Sequence, residues 1–239
     1  MPENWLISDV RPLTRDTLAE IDRETPGLVE GITRGSAVAP RLAIKVRDVV
    51  CYDVHKLFGG AEIRLDAVVV NGAQAEQNVD SFYHPQTMRF TDIRDGQSLP
   101  IDPEHGLLIF NGTPLHFVDI FIMVSRDRKD TDDLSSLLRK ELSSDAGKQA
   151  AAALMALAIS IPTAAAVAGA VAAASIIGDI AYQVVKAVSP KSIGMYRGSF
   201  LQFRDAFGVG RHPSDAMFLN NDLGFWYETV LDEPREASA

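Results

Sequence analysis

The segment LAIKVRDVVCYDVHKLFGGAEIRLDAVVV, residues 42–70, decides the fold of this chain. Two runs within it, residues 42–54 and 61–70, are rich in β-branched residues and partly alternate between apolar and polar positions, which is typical of strands. Gly59 and Gly60 lie between the two runs, and paired glycines favour a turn. The segment therefore predicts two sheet strands joined by a turn.

The pattern of short strands separated by turns continues on both sides of a helical region. Proline and glycine residues punctuate the runs, and such spacing favours an antiparallel sandwich over alternating strands and helices. The further predicted strands lie within SFYHPQTMRFTDI (81–93), GLLIFNG (106–112), LHFVDIFIMV (115–124), MYRGSFLQFRDAF (195–207) and LGFWYETVL (223–231).

The helical region begins at Asp132, where DDLSSLLRKELSSD has acidic residues in its first turn and basic residues towards its end. Residues 149–178 then carry no charge and are rich in alanine, and Pro162 divides them into two helical arms. We therefore expect an α+β protein, an antiparallel β-sandwich with an inserted alanine-rich helical hairpin. Its predicted parts are an N-terminal arm (1–40), a sandwich body (41–131 and 190–232), the helical insertion (132–189) and a tail (233–239).

The uncharged segment supports two hypotheses. At about 1.5 Å per residue its arms would be roughly 20 Å and 24 Å long, both shorter than a bilayer core of about 30 Å, whereas one kinked helix of roughly 45 Å would span it. Apolar stripes at helical spacing favour a hairpin that covers the sheet, while the lack of charge favours a segment that enters or lies on a membrane. The stripes are Leu154, Leu157 and Ile161 in the first arm and Ile177, Ile180, Val184 and Val188 in the second, with Ser175, Asp179, Gln183 and Lys186 on the opposite face of the second. On the membrane hypothesis, the lipid-contacting residues are Leu154, Leu157, Ile161, Pro162, Val167 and Val171.

Charge and cysteine content narrow the class of partner. The net charge of −9 opposes binding to a nucleic-acid backbone, which proteins normally contact through clustered lysine and arginine. The single cysteine, Cys51, cannot form an internal disulfide, and residues 1–10 have neither a basic nor an apolar leader pattern. We expect a cytoplasmic protein that binds no nucleic acid and that is recruited to the membrane if the membrane hypothesis holds.

The loop SRDRKDTDDLS, residues 125–135, follows a predicted strand and carries Asp127 and Asp133. Together with the strands, this loop resembles the C-two domain, the calcium-dependent phospholipid-binding sandwich, over about residues 42–138. In that family one calcium loop follows a strand with spaced aspartates, and Asp127 and Asp133 match two of these positions in SRDRKDTDDLS. Asp53 and Glu62 flank the Gly59-Gly60 turn as the acidic positions of a second loop. The chain departs from the family at Ser125, where the motif has its first aspartate. The resemblance implies Ca²⁺ held by Asp127, Asp133, Asp53 and Glu62, because clustered carboxylates supply the oxygens that Ca²⁺ prefers. The alternative is a solvated turn that needs no ion and no cofactor.

Catalytic motifs are absent from the sequence. None of the five histidines lies in a zinc-protease or Cys-x-x-Cys setting, and no nucleophile elbow, phosphate loop or dinucleotide fingerprint is present. Cys51 and His55 are the one candidate nucleophile and base, but a cysteine within a Val-Val-Cys-Tyr run is typical of a core. His116 and Asp119 lie three residues apart on a predicted strand, which places them on opposite faces.

These features together favour a non-enzymatic, membrane-acting protein of the effector or pore-forming toxin type, whose apolar hairpin is released from a sandwich body. A homo-oligomer is expected in that case, because single short arms cannot complete a pore. The alternative is a soluble protein–protein interaction module that keeps the hairpin permanently in its core.

Overall fold

The computed structural model describes residues 5–7, 40–72, 82–128, 131–145, 148–149, 152, 164–189, 192–202 and 206–231. For residues 5–7, 164–173, 175, 192 and 218 the description covers the backbone alone.

Two mostly antiparallel sheets form the body of the protein. The first, which we call the central sheet, has the strand order β1-β8-β7-β3-β4. Its strands are β1 (Trp5–Ile7), β3 (Ala61–Gly72), β4 (Tyr83–Ile93), β7 (Leu115–Arg126) and β8 (Ser192–Leu201). Within the predicted N-terminal arm, β1 adds a strand that the sequence did not predict and pairs with β8 in parallel, whereas the other pairs of this sheet are antiparallel.

The second sheet, which we call the outer sheet, has the order β10-β11-β2-β5, with β6 also on β2 and β9 also on β11. Its strands are β2 (Leu42–Cys51), β5 (Gln97–Ser98), β6 (Leu107–Gly112), β9 (Gly210–His212), β10 (Phe218–Leu219) and β11 (Leu223–Leu231). The long predicted strands are all confirmed. The α+β class and a sandwich-like pair of sheets therefore follow directly from the sequence pattern.

The central sheet is buried on both faces. Along β7, Ile120 and Ile122 point into the core between the two sheets, while Phe121 and Met123 point into a second core on the opposite side. Burial on both faces explains why β7 is an almost continuous apolar run, since a strand with one wet face would alternate more strictly. The molecule thus has three layers, in the order outer sheet, central sheet and helices.

The helical layer consists of α1 (Leu134–Leu142) and α2 (Ala164–Val188), which lie between β7 and β8 along the chain. The predicted amphipathic pattern at the end of α2 is confirmed, because Ile177 and Val184 are buried while Asp179 and Lys186 are exposed. Gly178 lies against the ring of Phe121, and a Cβ at that position would be 2.0 Å from Cε1 of the ring. The C-terminal half of α2 is therefore packed closely on the central sheet.

The predicted lipid-contacting residues lie mostly beyond these elements. Val167 and Val171 are on the backbone of α2, and Leu154, Leu157, Ile161 and Pro162 are outside the described residues. Within the part of the chain that the structure describes, no helix combines the length and the apolar character needed to cross a bilayer.

Candidate cation sites and an apolar tip at the loop end

One end of the sandwich brings together three connections that are far apart in the sequence, and we call this region the loop end. Tyr52 donates its backbone N–H to the carbonyl of Asp222 over 2.8 Å, and Arg126 donates from Nη1 to the carbonyl of His55 over 3.0 Å. These bonds fix the connections to one another. The connections are 52–60 between β2 and β3, 127–128 with 131–133 between β7 and α1, and 220–222 between β10 and β11.

The predicted calcium residues Asp127 and Asp133 do meet at the loop end, but around an arginine. Arg89, on β4, donates from Nε to Asp127 over 2.8 Å and from Nη1 to Asp133 over 2.5 Å. Its third nitrogen, Nη2, donates to the carbonyl of Thr131 over 2.8 Å. The hydrogen bond to Asp133 is the main reason why the pKa of Arg89 is raised above its usual value. We call Arg89, Asp127 and Asp133 the arginine cluster. A calcium ion bound by the two carboxylates would have to displace the guanidinium.

The other two predicted calcium residues do not join Asp127 and Asp133 in one set of ligands. Glu62 is exposed at the start of β3, where its carbonyl accepts the backbone N–H of Asp127 over 2.8 Å. Asp53 instead faces His55, in the connection after β2. The acidic positions taken from the C-two resemblance are therefore divided between two neighbouring places.

Asp53 belongs to a second cluster with His55 and Asp222, which we call the histidine cluster. The Nδ1 atom of His55 is 3.4 Å from Oδ1 of Asp53, and the Nε2 atom is 3.0 Å from Oδ2 of Asp222. One ligand atom from each of the three residues lies within 4.8 Å of the others. Each ring nitrogen of His55 therefore faces a carboxylate.

Beyond the histidine cluster, the β2–β3 connection ends in two exposed apolar side chains, which we call the apolar tip. Leu57 is 93% exposed and Phe58 is 88% exposed. Two further apolar side chains at the loop end, Tyr52 and Leu219, are 42% and 59% exposed and both approach Gly224, on β11. The loop end therefore presents four exposed apolar side chains, two of which are almost completely exposed.

Cys51 confirms its predicted place in the core. Its side chain is fully buried between the sheets, and burial raises the pKa of the thiol to about 12. A thiol with such a pKa holds almost no thiolate at neutral pH, and the thiolate is the nucleophile. His55 faces Asp53 and Asp222, so the Cys51–His55 pair has none of the features of an activated nucleophile.

Asp119 and His116, the other pair considered from the sequence, lie in different surroundings. Asp119 is buried on the helix-facing side of the central sheet, where Arg197 donates to it over 2.6 Å and Ser199 over 2.8 Å. His116 lies near the start of β7 with a φ of 67°, and burial lowers the pKa of its ring. Asp119 is thus part of an internal ion pair.

Sequence reasoning missed the most informative members of the loop end. Asp222 carries no local signal, because Asn-Asp-Leu-Gly is an ordinary turn sequence. Leu57 and Phe58 did carry one, since two large apolar residues within a turn are unusual, but the adjacent Gly59 and Gly60 dominated the interpretation. The geometry must be interpreted by itself, because comparison with known proteins finds no family model, no curated protein and no solved structure that matches the chain.

Proposed function

We propose that this protein is a non-enzymatic, membrane-acting protein that attaches reversibly to a lipid surface through the apolar tip. The observation that carries this proposal is the near-complete exposure of Leu57 and Phe58, side by side at the end of one loop. The C-two resemblance is part of the same proposal, because that family is a phospholipid-binding sandwich.

The apolar tip supplies a modest free energy of attachment. Moving a leucine or a phenylalanine from water into an apolar medium contributes about 1.5–3 kcal/mol each, so the pair contributes about 3–6 kcal/mol. That range is comparable with a single myristoyl chain, which gives only marginal, reversible binding to membranes. We therefore expect a peripheral protein that exchanges readily between the bilayer surface and water.

Charge determines which lipid surface fits. The chain carries a net charge of −9, and Asp53, Glu62 and Asp92 are exposed near the apolar tip. Lys56, the basic residue next to the tip, donates its ammonium to the carbonyl of Gly60. Anionic headgroups would be repelled by this surface. The proposal therefore specifies a zwitterionic, phosphatidylcholine-type bilayer.

A fluid bilayer fits the shape of the tip better than a protein partner does. The two side chains project from a loop, and a bilayer accepts a projecting group without a preformed pocket, whereas a protein would need a cleft of matching shape.

Release of the hairpin and pore formation by an oligomer stay predictions. For this segment, the contacts of α2 favour the alternative function, a soluble protein–protein interaction module. Ile177, Ala181 and Val185 are buried against the central sheet, as expected of an interaction module with a permanently packed hairpin. Attachment through the apolar tip needs no release of α2.

The deciding experiment is binding to phosphatidylcholine vesicles, measured by co-sedimentation. We expect the double variant Leu57→Ser/Phe58→Ser to bind at least about 100-fold more weakly than the wild type, because it loses about 3–6 kcal/mol of apolar transfer free energy. The matched control is Leu108→Ser/Leu231→Ser, which removes two apolar side chains that are 43% and 52% exposed on the outer sheet. Leu231 pairs with Leu42, at the opposite end of β2 from the apolar tip.

Equal binding by both double variants, or no binding by the wild type to neutral vesicles, would contradict attachment through the apolar tip. Circular dichroism verifies that each variant is folded. Release of a trapped dye, measured on the same vesicles, separates surface attachment from the pore-forming form of the hypothesis, because an attached protein leaves the dye inside.

A further inference from the structure

The loops that carry the histidine cluster are held in place by bonds that leave the cluster's side chains facing one another. The backbone N–H groups of Tyr52 and Asp53 donate to the carbonyl of Asp222, over 2.8 Å and 3.4 Å. The N–H of His55 donates to Oδ1 of Asp53 over 2.5 Å, which leaves Oδ2 of that carboxylate for another partner. Arg126 holds the carbonyl of His55. The three side chains therefore converge on a fixed frame.

Among the described residues, no lysine or arginine forms an ion pair with Asp53 or Asp222, and the residue that pairs with both carboxylates is His55. The arginine cluster, at the same end of the sandwich, differs because Arg89 is paired with both of its carboxylates. A bound cation would supply the histidine cluster with the positive charge that Arg89 supplies to the arginine cluster.

We propose that Asp53, His55 and Asp222 bind one divalent transition-metal ion, of which Zn²⁺ is the representative. A set of one imidazole and two carboxylates suits Zn²⁺, which binds histidine nitrogen at about 2.0–2.1 Å and carboxylate oxygen at about 2.0–2.2 Å. At the tetrahedral angle, two such ligands on one ion are about 3.4 Å apart, and Nε2 of His55 is 3.0 Å from Oδ2 of Asp222, so a small movement of the Asp222 side chain would admit the ion. Asp53, whose side chain is 52% exposed, is free to turn its second oxygen towards the ion.

The imidazole separates this metal class from calcium. Ca²⁺ takes six to eight oxygen ligands and does not favour nitrogen, whereas three protein ligands and a water complete a tetrahedral zinc site. The ion would join the connection that carries the apolar tip to the connection between β10 and β11. It would also lower the negative charge below the tip.

The test is a calorimetric titration of the full chain with ZnCl₂ and, separately, with CaCl₂, in the absence of vesicles. We expect one Zn²⁺ per chain with a dissociation constant in the micromolar range, and markedly weaker binding of Ca²⁺. The variants His55→Asn and Asp222→Asn should each weaken Zn²⁺ binding at least about 10-fold, because each removes one of three ligands. Asparagine is chosen at position 55 because the residue has a φ of 55°, which asparagine tolerates.

The matched control is His105→Asn. His105 lies 3.0 Å from a single carboxylate, Asp102, and its side chain is 80% exposed, so this variant should bind Zn²⁺ as the wild type does. No stoichiometric Zn²⁺ binding by the wild type, or equal binding by all three variants, would overturn the proposal. Vesicle binding plays no part in this titration, so a failure of the membrane proposal and a failure of the metal proposal are distinguishable.

Discussion

The arginine cluster and the histidine cluster lie at the same end of the sandwich and each contains two aspartates, but they differ in the cation that faces them. Arg89 reaches Asp127 and Asp133 from β4, across the sheet, and is always charged at neutral pH. The histidine cluster has an imidazole between its carboxylates. The number of acidic residues alone therefore says little about where an ion binds. The nearest basic side chain determines whether the carboxylates are available to an ion.

The largest expected effect concerns Arg64, beside the arginine cluster. Arg64 and Asp66 are fully buried and paired over 2.5 Å, and Arg64 also donates to the carbonyl of Asp132 over 2.7 Å. Arg64→Met should lower the free energy of unfolding by about 3–5 kcal/mol, because the buried carboxylate of Asp66 loses the cation it is paired with and keeps the hydrogen bond from the Thr87 hydroxyl. Urea unfolding measures this effect. Arg94→Met is the control, because Arg94 is 69% exposed and its pair with Asp92 is worth about 0–1 kcal/mol. Equal losses in the two variants would show that the buried pair does not stabilise this region.

A smaller effect is expected from Arg89→Ala, which removes the internal cation of the arginine cluster. The free energy of unfolding should fall by about 1–2 kcal/mol, since hydrogen bonds between charged groups are lost but Arg89 is 38% exposed. The variant should also gain stabilisation by Ca²⁺, because Asp127 and Asp133 are then without a partner charge. Thermal unfolding with and without CaCl₂ measures both effects. Equal stabilisation of the wild type by Ca²⁺ would show that Arg89 does not keep Ca²⁺ from the two carboxylates, and the contrast between the two clusters would then be wrong.

The smallest effect is expected from His55→Asn in metal-free buffer. Both contacts of His55 with carboxylates are partly exposed, and such surface contacts contribute about 0–1 kcal/mol. Thermal unfolding of the variant, with a chelator present, should therefore be close to that of the wild type. A loss as large as that of Arg64→Met would mean that the histidine cluster is a structural element that needs no ion.

The strands could be predicted from the sequence because the burial of strand residues determines the positions at which apolar residues recur. Residues 42–51 and 61–72 form β2 and β3, and residues 223–231 form β11, as their alternation indicated. Helix α1 is present where the sequence predicts a helix, but it begins at Leu134 instead of Asp132 and has no acidic residue in its first turn, and Asp133 at the N-cap position pairs with Arg89. Helix α2 shows the predicted stripe in Ile177 and Val184. The strands, the presence of α1 and this stripe each depend on residues close together in the chain.

The loop end could not be predicted in the same way, because its contacts join residues that are distant in the sequence. Asp222 meets His55 only after β11 has paired with β2, and Arg89 reaches Asp127 only after β4 has paired with β3. The exposure of Leu57 and Phe58 likewise depends on where the fold places their loop. A sequence pattern predicts which residues could bind an ion, whereas the tertiary pairing decides which of them meet.

The contact between Gly178 and Phe121 restricts how α2 could ever move. The aromatic ring takes the place of the missing side chain, so it sets both the distance of the helix from the sheet and the rotation of the helix about its own axis. A small slide or roll would drive the backbone or a neighbouring Cβ into the ring. Any rearrangement of the alanine-rich segment that keeps this contact must therefore pivot at a point before Ala174, with the last turns of α2 as its fixed anchor.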